Sequence, residues 1–154
     1  MQAKVTWQKE LQFIGVADSG FPVKMDSHSG PETGVSPVEM VAIALAGCTA
    51  MDVISILKKK QQIVTAFEVK VQVDQAPEFP KVFTHTVITY HVTGHSVDET
   101  ALRRSIELSA TKYCPAQAML AKVVPMELCY QIYEGESAEN RSLVKTGTYT
   151  PVIA

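Results

Sequence analysis

At 154 residues, 46% of them hydrophobic and 19% charged, the chain is long enough to bury a core as one domain without disulfide or metal staples. A formal net charge of -2 provides no basic footprint for nucleic acid or for an acidic membrane surface. Three cysteines, an odd number, do not make a disulfide framework, and Met1 to Glu10 is polar rather than a charged-then-apolar leader, so a reducing cytoplasm is the expected compartment.

The first 26 residues read as three short strands. Lys4 to Trp7 alternates, Leu11 to Val16 is apolar with Gly15 marking a bulge or a close approach, and Phe21 to Met25 is a third run. Asp26 to Gly34 is a turn-forming loop. Ser36, Pro37 and Glu39 then punctuate a helix start. The serine is an N-cap, the proline suits the first helical position, and the acid three residues on completes a capping box.

That helix is predicted to run to about Lys60, with Lys58 to Lys60 facing the negative end of its dipole. It is apolar on nearly every face, which predicts a helix enclosed by other elements. Glu39, Asp52 and Ser55 interrupt it as a membrane span, and the uncharged run from Met40 to Met51 falls short of the roughly 18–20 residues a span needs.

An antiparallel hairpin follows. Phe67, Val69, Val71 and Val73 share one face of its first strand, and Ile88, Tyr90 and Val92 share one face of its second. A second helix is predicted from Ser96, with Glu99 completing another capping box and Leu102, Ile106, Ser109, Ala110 and Tyr113 on one stripe. It breaks at Cys114-Pro115 and restarts as a short helix to Lys122. The strand from Val123 to Tyr133 groups Met126, Leu128, Tyr130 and Ile132, and residues 135–154 read as an extended tail. The expectation is a single α+β domain over residues 1–154, with sheet material around a central helix.

Two cysteines have settings that suggest chemistry. Cys48 lies mid-helix, followed by Thr49 and with Asp52 one turn on, which indicates a cleft lining as readily as a small buried hydrophobe. A carboxylate neighbour does not by itself favour a thiolate. Cys114 occupies the N-cap of the helix that Pro115 opens, where free N–H groups favour an anion; the bland alternative is a compact residue filling a kink. Cys129 shares a strand face with Glu127 and Gln131 and reads as a bystander. His28, His85, His91 and His95 have no zinc-ligand spacing, and neither a C-x-x-C, a phosphate loop nor a G-x-S-x-G elbow occurs. No metal or organic cofactor is expected.

Ser36-Pro37-Val38-Glu39-Met40 leading through Ala44-Leu45-Ala46-Gly47-Cys48, with Lys112-Tyr113-Cys114-Pro115-Ala116-Gln117-Ala118 before a final strand, resembles the OsmC/Ohr family. The stretch from Gly47 to Lys59 resembles its YhfA-like branch, and the likeness extends over roughly Lys4 to Tyr133.

The resemblance implies an OsmC-like fold of antiparallel sheets around long central helices, in an intertwined homodimer with active sites at the subunit interface. It further implies that Cys48 reduces a small organic hydroperoxide and becomes a sulfenic acid, that Cys114 resolves it as a disulfide, and that an external dithiol restores the pair. Glu39 stands near the family's catalytic acid but one place beyond it, and nine residues of helix, about 13 Å and half a turn, separate it from its own Cys48. The family's N-terminal arginine has no counterpart before Arg103; Lys24 or an arginine of the partner subunit is the substitute to consider, though lysine lacks the planar fork. A dimer that only binds an apolar ligand, or a redox-sensing thiol switch, are the alternative readings. Neither nucleic acid nor a membrane is an expected partner.

Overall fold

The computed structural model describes residues 1–27 and 34–150. Most of the loop expected over Asp26 to Gly34, including His28, lies outside the described residues, as does the end of the chain from residue 151. The fold divides into two compact units, Met1–Ile43 and Ala44–Ala154.

In the first unit, β1 (Ala3–Lys9), β2 (Gln12–Ala17) and β3 (Pro22–Met25) form an antiparallel meander, as their alternation predicts. Gly15 is the expected close approach: a Cβ there would lie 2.9 Å from Met25 Cε. Val35 bridges Met25 and accepts a hydrogen bond from the Asp26 N–H at 3.1 Å, which delivers the chain to Ser36. The sheet leaves much apolar surface uncovered, with Trp7 63% exposed and Val5, Leu11 and Phe21 also exposed.

Helix α1 (Pro37–Lys59) starts where the capping box places it. The Glu39 N–H donates to Ser36 Oγ at 3.2 Å, while Glu39 Oε2 accepts from the Ser36 N–H and hydroxyl, both at 2.8 Å. One chain buries only a single stripe of this helix, Leu45, Thr49, Val53 and Leu57, spaced four apart. Val38, Val41, Ile43 and Met51 are exposed. The expected enclosure on every side is therefore absent in the single chain among the described residues. As a whole, α1 is long and apolar enough to cross a bilayer by length and composition, because its few charges sit near its ends and at Asp52.

The second unit is built on a four-stranded sheet in the order β4 (Ile63–Gln75), β5 (Phe83–His95), β6 (Met126–Gly135), β7 (Arg141–Tyr149). β4 and β5 form the expected hairpin, pairing Phe67 with Val92, Val69 with Tyr90 and Val71 with Ile88. Antiparallel pairing does not extend throughout: β5 and β6 run parallel, aligning Ile88 with Leu128, Tyr90 with Tyr130 and Val92 with Ile132. The chain between them passes through two helices, and such a crossover returns the next strand in the same direction. These inward rows meet Leu45, Val53 and Leu57 of α1 and Leu102 and Ile106 of the next helix in one hydrophobic core.

That helix, α2 (Glu99–Leu108), is capped by Asp98, whose carboxylate accepts from the N–H groups of Thr100 at 3.0 Å and Ala101 at 3.2 Å. Ser96 is not the cap. It sits in the turn at positive φ with its N–H on Glu134, because Asp98 brings two acceptor oxygens to the first turn and the serine one. Glu99, released from capping, binds the Tyr130 hydroxyl and Lys145.

Residues 141–149, read from sequence as part of a tail, form β7 on the open edge of β6. Their polar composition carries no core alternation; backbone pairing with β6 is joined by the Lys145–Glu99 ion pair, by Arg103 on the Thr148 carbonyl, and by Tyr149 packed against the core. Gly147 makes that approach possible, since a Cβ there would come within 2.3 Å of the Tyr130 hydroxyl. This hydroxyl donates to Glu99 at 2.5 Å and accepts from Arg103 at 3.1 Å, so it has little freedom to move aside. Gly147→Ala is expected to destabilise the fold by about 1–3 kcal/mol through overpacking. Denaturant unfolding checks this, together with hydrogen exchange showing the loss concentrated in β7.

Candidate functional site

The site grows out of a break in the second helix. Pro115 has no N–H to donate, and the chain before it loosens into a π turn, Ser109–Tyr113, closed by the Cys114 N–H on the Ser109 carbonyl at 2.9 Å. Cys114 is extended, with φ −79 and ψ 103, and caps the short helix α3 (Pro115–Leu120). Its sulfur accepts the Gln117 N–H at 3.3 Å. Both the break and the cap are where the sequence puts them.

The bend aims Cys114 at α1. Its Sγ lies 2.7 Å from Cys48 Sγ, with both residues present as free thiols. A disulfide needs about 2.05 Å between sulfurs. The fold therefore places the two sulfurs within reach of a disulfide, which an oxidant that removes the two thiol hydrogens could form with little side-chain movement.

A buried chain of hydroxyls lies beside the thiols. Thr49 Oγ1 is 2.6 Å from the Tyr90 hydroxyl and 2.9 Å from Ser109 Oγ, and Ser109 donates to Asp52 Oδ2 at 3.0 Å. The direction follows from proton counting. An ionised Asp52 only accepts, so Ser109 spends its proton there, Thr49 donates to Ser109, and Tyr90 donates to Thr49. Thr49, Tyr90 and Ser109 are fully buried, and each member of the row is satisfied. The row ties α1, β5 and the π turn together at the level of the thiols.

Electrostatics reverse one expectation. The helix N-terminus was expected to acidify Cys114, yet its thiol is pushed up to about 12. Burial is the largest cause, the hydrogen bond with Cys48 adds to it, the Gln117 N–H opposes it, and the Asp52 charge raises it further. A two-turn helix offers one N–H, and desolvation of a buried sulfur outweighs it. Cys114 thus stays protonated, and its sulfur faces Cys48. Burial also lifts the Tyr90 hydroxyl well above its ordinary range.

Other sequence candidates are placed elsewhere. Glu39 is held in the capping box at the start of α1. Lys24 lies in β3 of the N-terminal unit. Arg103 is engaged by Tyr130 and the Thr148 carbonyl. Cys129 is a half-buried strand residue raised by burial and then by Glu127. His85 sits between Asp74 and Glu127, and His95 between Glu134 and Glu136, as strand histidines paired with surface acids.

Sequence reading missed Tyr90 and Ser109 as site residues, counting both as core-stripe positions. The available signal was the hydroxyl each carries on an otherwise apolar face. A cleft of about 270 Å³ opens beside Asp52, lined also by Ser55, Ile56, Lys59, Leu108 and Tyr113. The ligand atoms of Cys48, Asp52 and Cys114 lie within 4.8 Å of one another.

Residues 30–128, which include both thiols and the break, match the family model described as "OsmC-like protein". The chain belongs to the OsmC-like family. It is 42% identical to Protein YhfA of Escherichia coli strain K12 over 132 residues, 86% of this chain and 98% of that protein. Among solved structures, an OsmC-like protein from Mycoplasma pneumoniae is 14% identical with a TM-score of 0.73, covering 85% of this chain and 95% of that one. The organic hydroperoxide resistance protein OhrB of Bacillus subtilis is 19% identical with a TM-score of 0.55, covering 83% and 96%. At those identities the two structures share the fold.

The raised Cys114 thiol has a consequence for pH. In the unfolded chain it ionises near its ordinary value of about 8.5, whereas in the fold it stays protonated to about 12. Below pH 8 both states hold the proton and stability is unaffected; across the window from about 8.5 to 12 the unfolded state sheds it first, so stability falls as pH rises. Unfolding titrations at pH 8 and pH 10 should show this loss in the reduced wild type and a smaller one in Cys114→Ser.

Proposed function

We propose that the protein reduces small organic hydroperoxides with its two thiols, as a homodimer in the reducing cytoplasm. The observation that carries this reading is the 2.7 Å approach of Cys48 and Cys114 sulfurs brought from helices 66 residues apart. The name of the hydroperoxide resistance protein sharing the fold points the same way.

Cys48 is the attacking sulfur. Its partner Cys114 is held protonated by burial and presents its sulfur to Cys48. The Cys48 thiolate attacks the distal peroxide oxygen, the O–O bond breaks, RO⁻ leaves and takes up a proton to become ROH, and Cys48 is left as the sulfenic acid. Cys114 then attacks that sulfur, water leaves, and a Cys48–Cys114 disulfide forms. An external dithiol returns both sulfurs to thiols by exchange. Glu39 is assigned to the capping of α1. Tyr90, Thr49, Ser109 and Asp52 are positioning residues that fix α1 against the π turn.

The experiment is peroxide consumption with cumene hydroperoxide and an excess dithiol. Wild type should turn over and lose two hydrogens on single oxidation, with the bridge mapped to Cys48 and Cys114. Cys48→Ser should abolish consumption, and Cys114→Ser should accumulate a dimedone-reactive sulfenic acid on Cys48. Unchanged turnover in Cys48→Ser would sink the reading.

A second copy of this chain is the occupant that suits the exposed apolar surface. Trp7, Val5, Leu11 and Phe21 on the N-terminal sheet and Val41, Ile43 and Met51 on α1 are uncovered in one chain. Sedimentation equilibrium should give twice the chain mass of 16.8 kDa, and Met51→Glu with Ile43→Glu should shift it toward the monomer. A monomeric wild type at micromolar concentration counts against the dimer.

A further inference from the structure

We propose that the reduced site binds one thiophilic divalent metal ion, of the zinc class, through Cys48, Cys114 and Asp52. The inference goes beyond peroxide reduction and does not depend on it. Three potential ligand atoms, two sulfurs and one carboxylate oxygen, lie within 4.8 Å of one another. The fold, not chance proximity on a loop, brings them there. Cys48 and Asp52 are one turn apart on the same face of α1, and Cys114 is fixed by the proline break.

The donor set selects the ion. Two thiolates with one carboxylate suit Zn²⁺, Co²⁺ or Cd²⁺ and exclude the harder Mg²⁺ and Ca²⁺, which take oxygen ligands. Three protein ligands leave a fourth position open for water, and on its Asp52 side the site borders a cleft lined also by Ser55 and Tyr113. The Ser109 hydroxyl donates to Asp52 Oδ2 at 3.0 Å, the kind of outer contact that orients a ligating carboxylate.

Charge balances as well. Binding M²⁺ with loss of two thiol protons to solvent leaves the site with the same net charge that Asp52 alone confers. Tetrahedral bonds of about 2.3 Å to two sulfurs place them about 3.8 Å apart, so the ion holds open the pair that now sits 2.7 Å apart. Metal binding and disulfide formation are thus exclusive uses of the same two sulfurs.

The test is titration of the fully reduced protein with Co²⁺ under anaerobic conditions, with no peroxide present. One equivalent per chain should produce a thiolate-to-cobalt absorption band in the near ultraviolet, and Zn²⁺ should bleach it. Cys48→Ser and Cys114→Ser should each abolish the band, and Asp52→Asn should weaken binding at least tenfold. Wild type oxidised to the Cys48–Cys114 disulfide should not bind, an arm that needs no substitution and guards against a variant that fails to fold.

Absence of the band in reduced wild type overturns the proposal. So does cobalt binding that persists in both serine variants and in the disulfide form, which would place the ion on surface groups such as His95 with Glu134 and Glu136. Peroxide consumption measured with a chelator present stands or falls separately.

Discussion

Pro115 has no hydrogen to give to the helix before it, and the geometry of the thiol pair depends on that. Without a donor at 115 the helical ladder ends early, the turn from Ser109 widens, and the chain leaves α2 with Cys114 extended rather than helical. An ordinary helical turn would carry Cys114 onward around the α2 axis. The break turns its sulfur toward α1 and opens a second helix whose first N–H groups meet it.

The break alone would not bring Cys114 to Cys48. α1 must lie against the same core at the correct height, and two kinds of contact set that height. Leu45, Val53 and Leu57 enter the apolar rows of β5 and β6. Between Leu45 and Val53, Thr49 replaces an apolar contact with hydrogen bonds to Tyr90 and Ser109. Hydrocarbon contacts tolerate sliding; a buried hydroxyl row with one allowed proton direction does not, because each displaced member would leave an unsatisfied polar group in the core. The polar row is the positional stop, and the apolar stripe is the adhesive.

Burial that positions the thiols also limits them. It holds Cys114 protonated far into the alkaline range, and the Asp52 carboxylate beside it works in the same direction. For Cys114 this is the reverse of what a helix N-terminus alone implies. One N–H from Gln117 does not offset the loss of water around the sulfur.

Much of this was legible in the sequence. Ser36 and Glu39 marked the start of α1, Cys114-Pro115 marked the break, and the alternation of Phe67 to Val73 and of Ile88 to Val92 marked which faces of β4 and β5 turn inward. These are local signals, set by one residue's backbone chemistry or by a period of two. The cap at Asp98 was misread as Ser96 because both residues are good caps two positions apart, and only the turn geometry separates them. The pairing of β7 was not legible, since its residues carry no period of two and the partners that hold it, β6, Glu99 and Arg103, are brought to it only by the fold. Sequence by itself determined most of the elements, the family and the two cysteines to consider together, but not β7. Tertiary structure alone decided the distance between those cysteines, the hydroxyl row and the burial that keeps Cys114 protonated, because each depends on atoms more than forty residues apart being brought into contact.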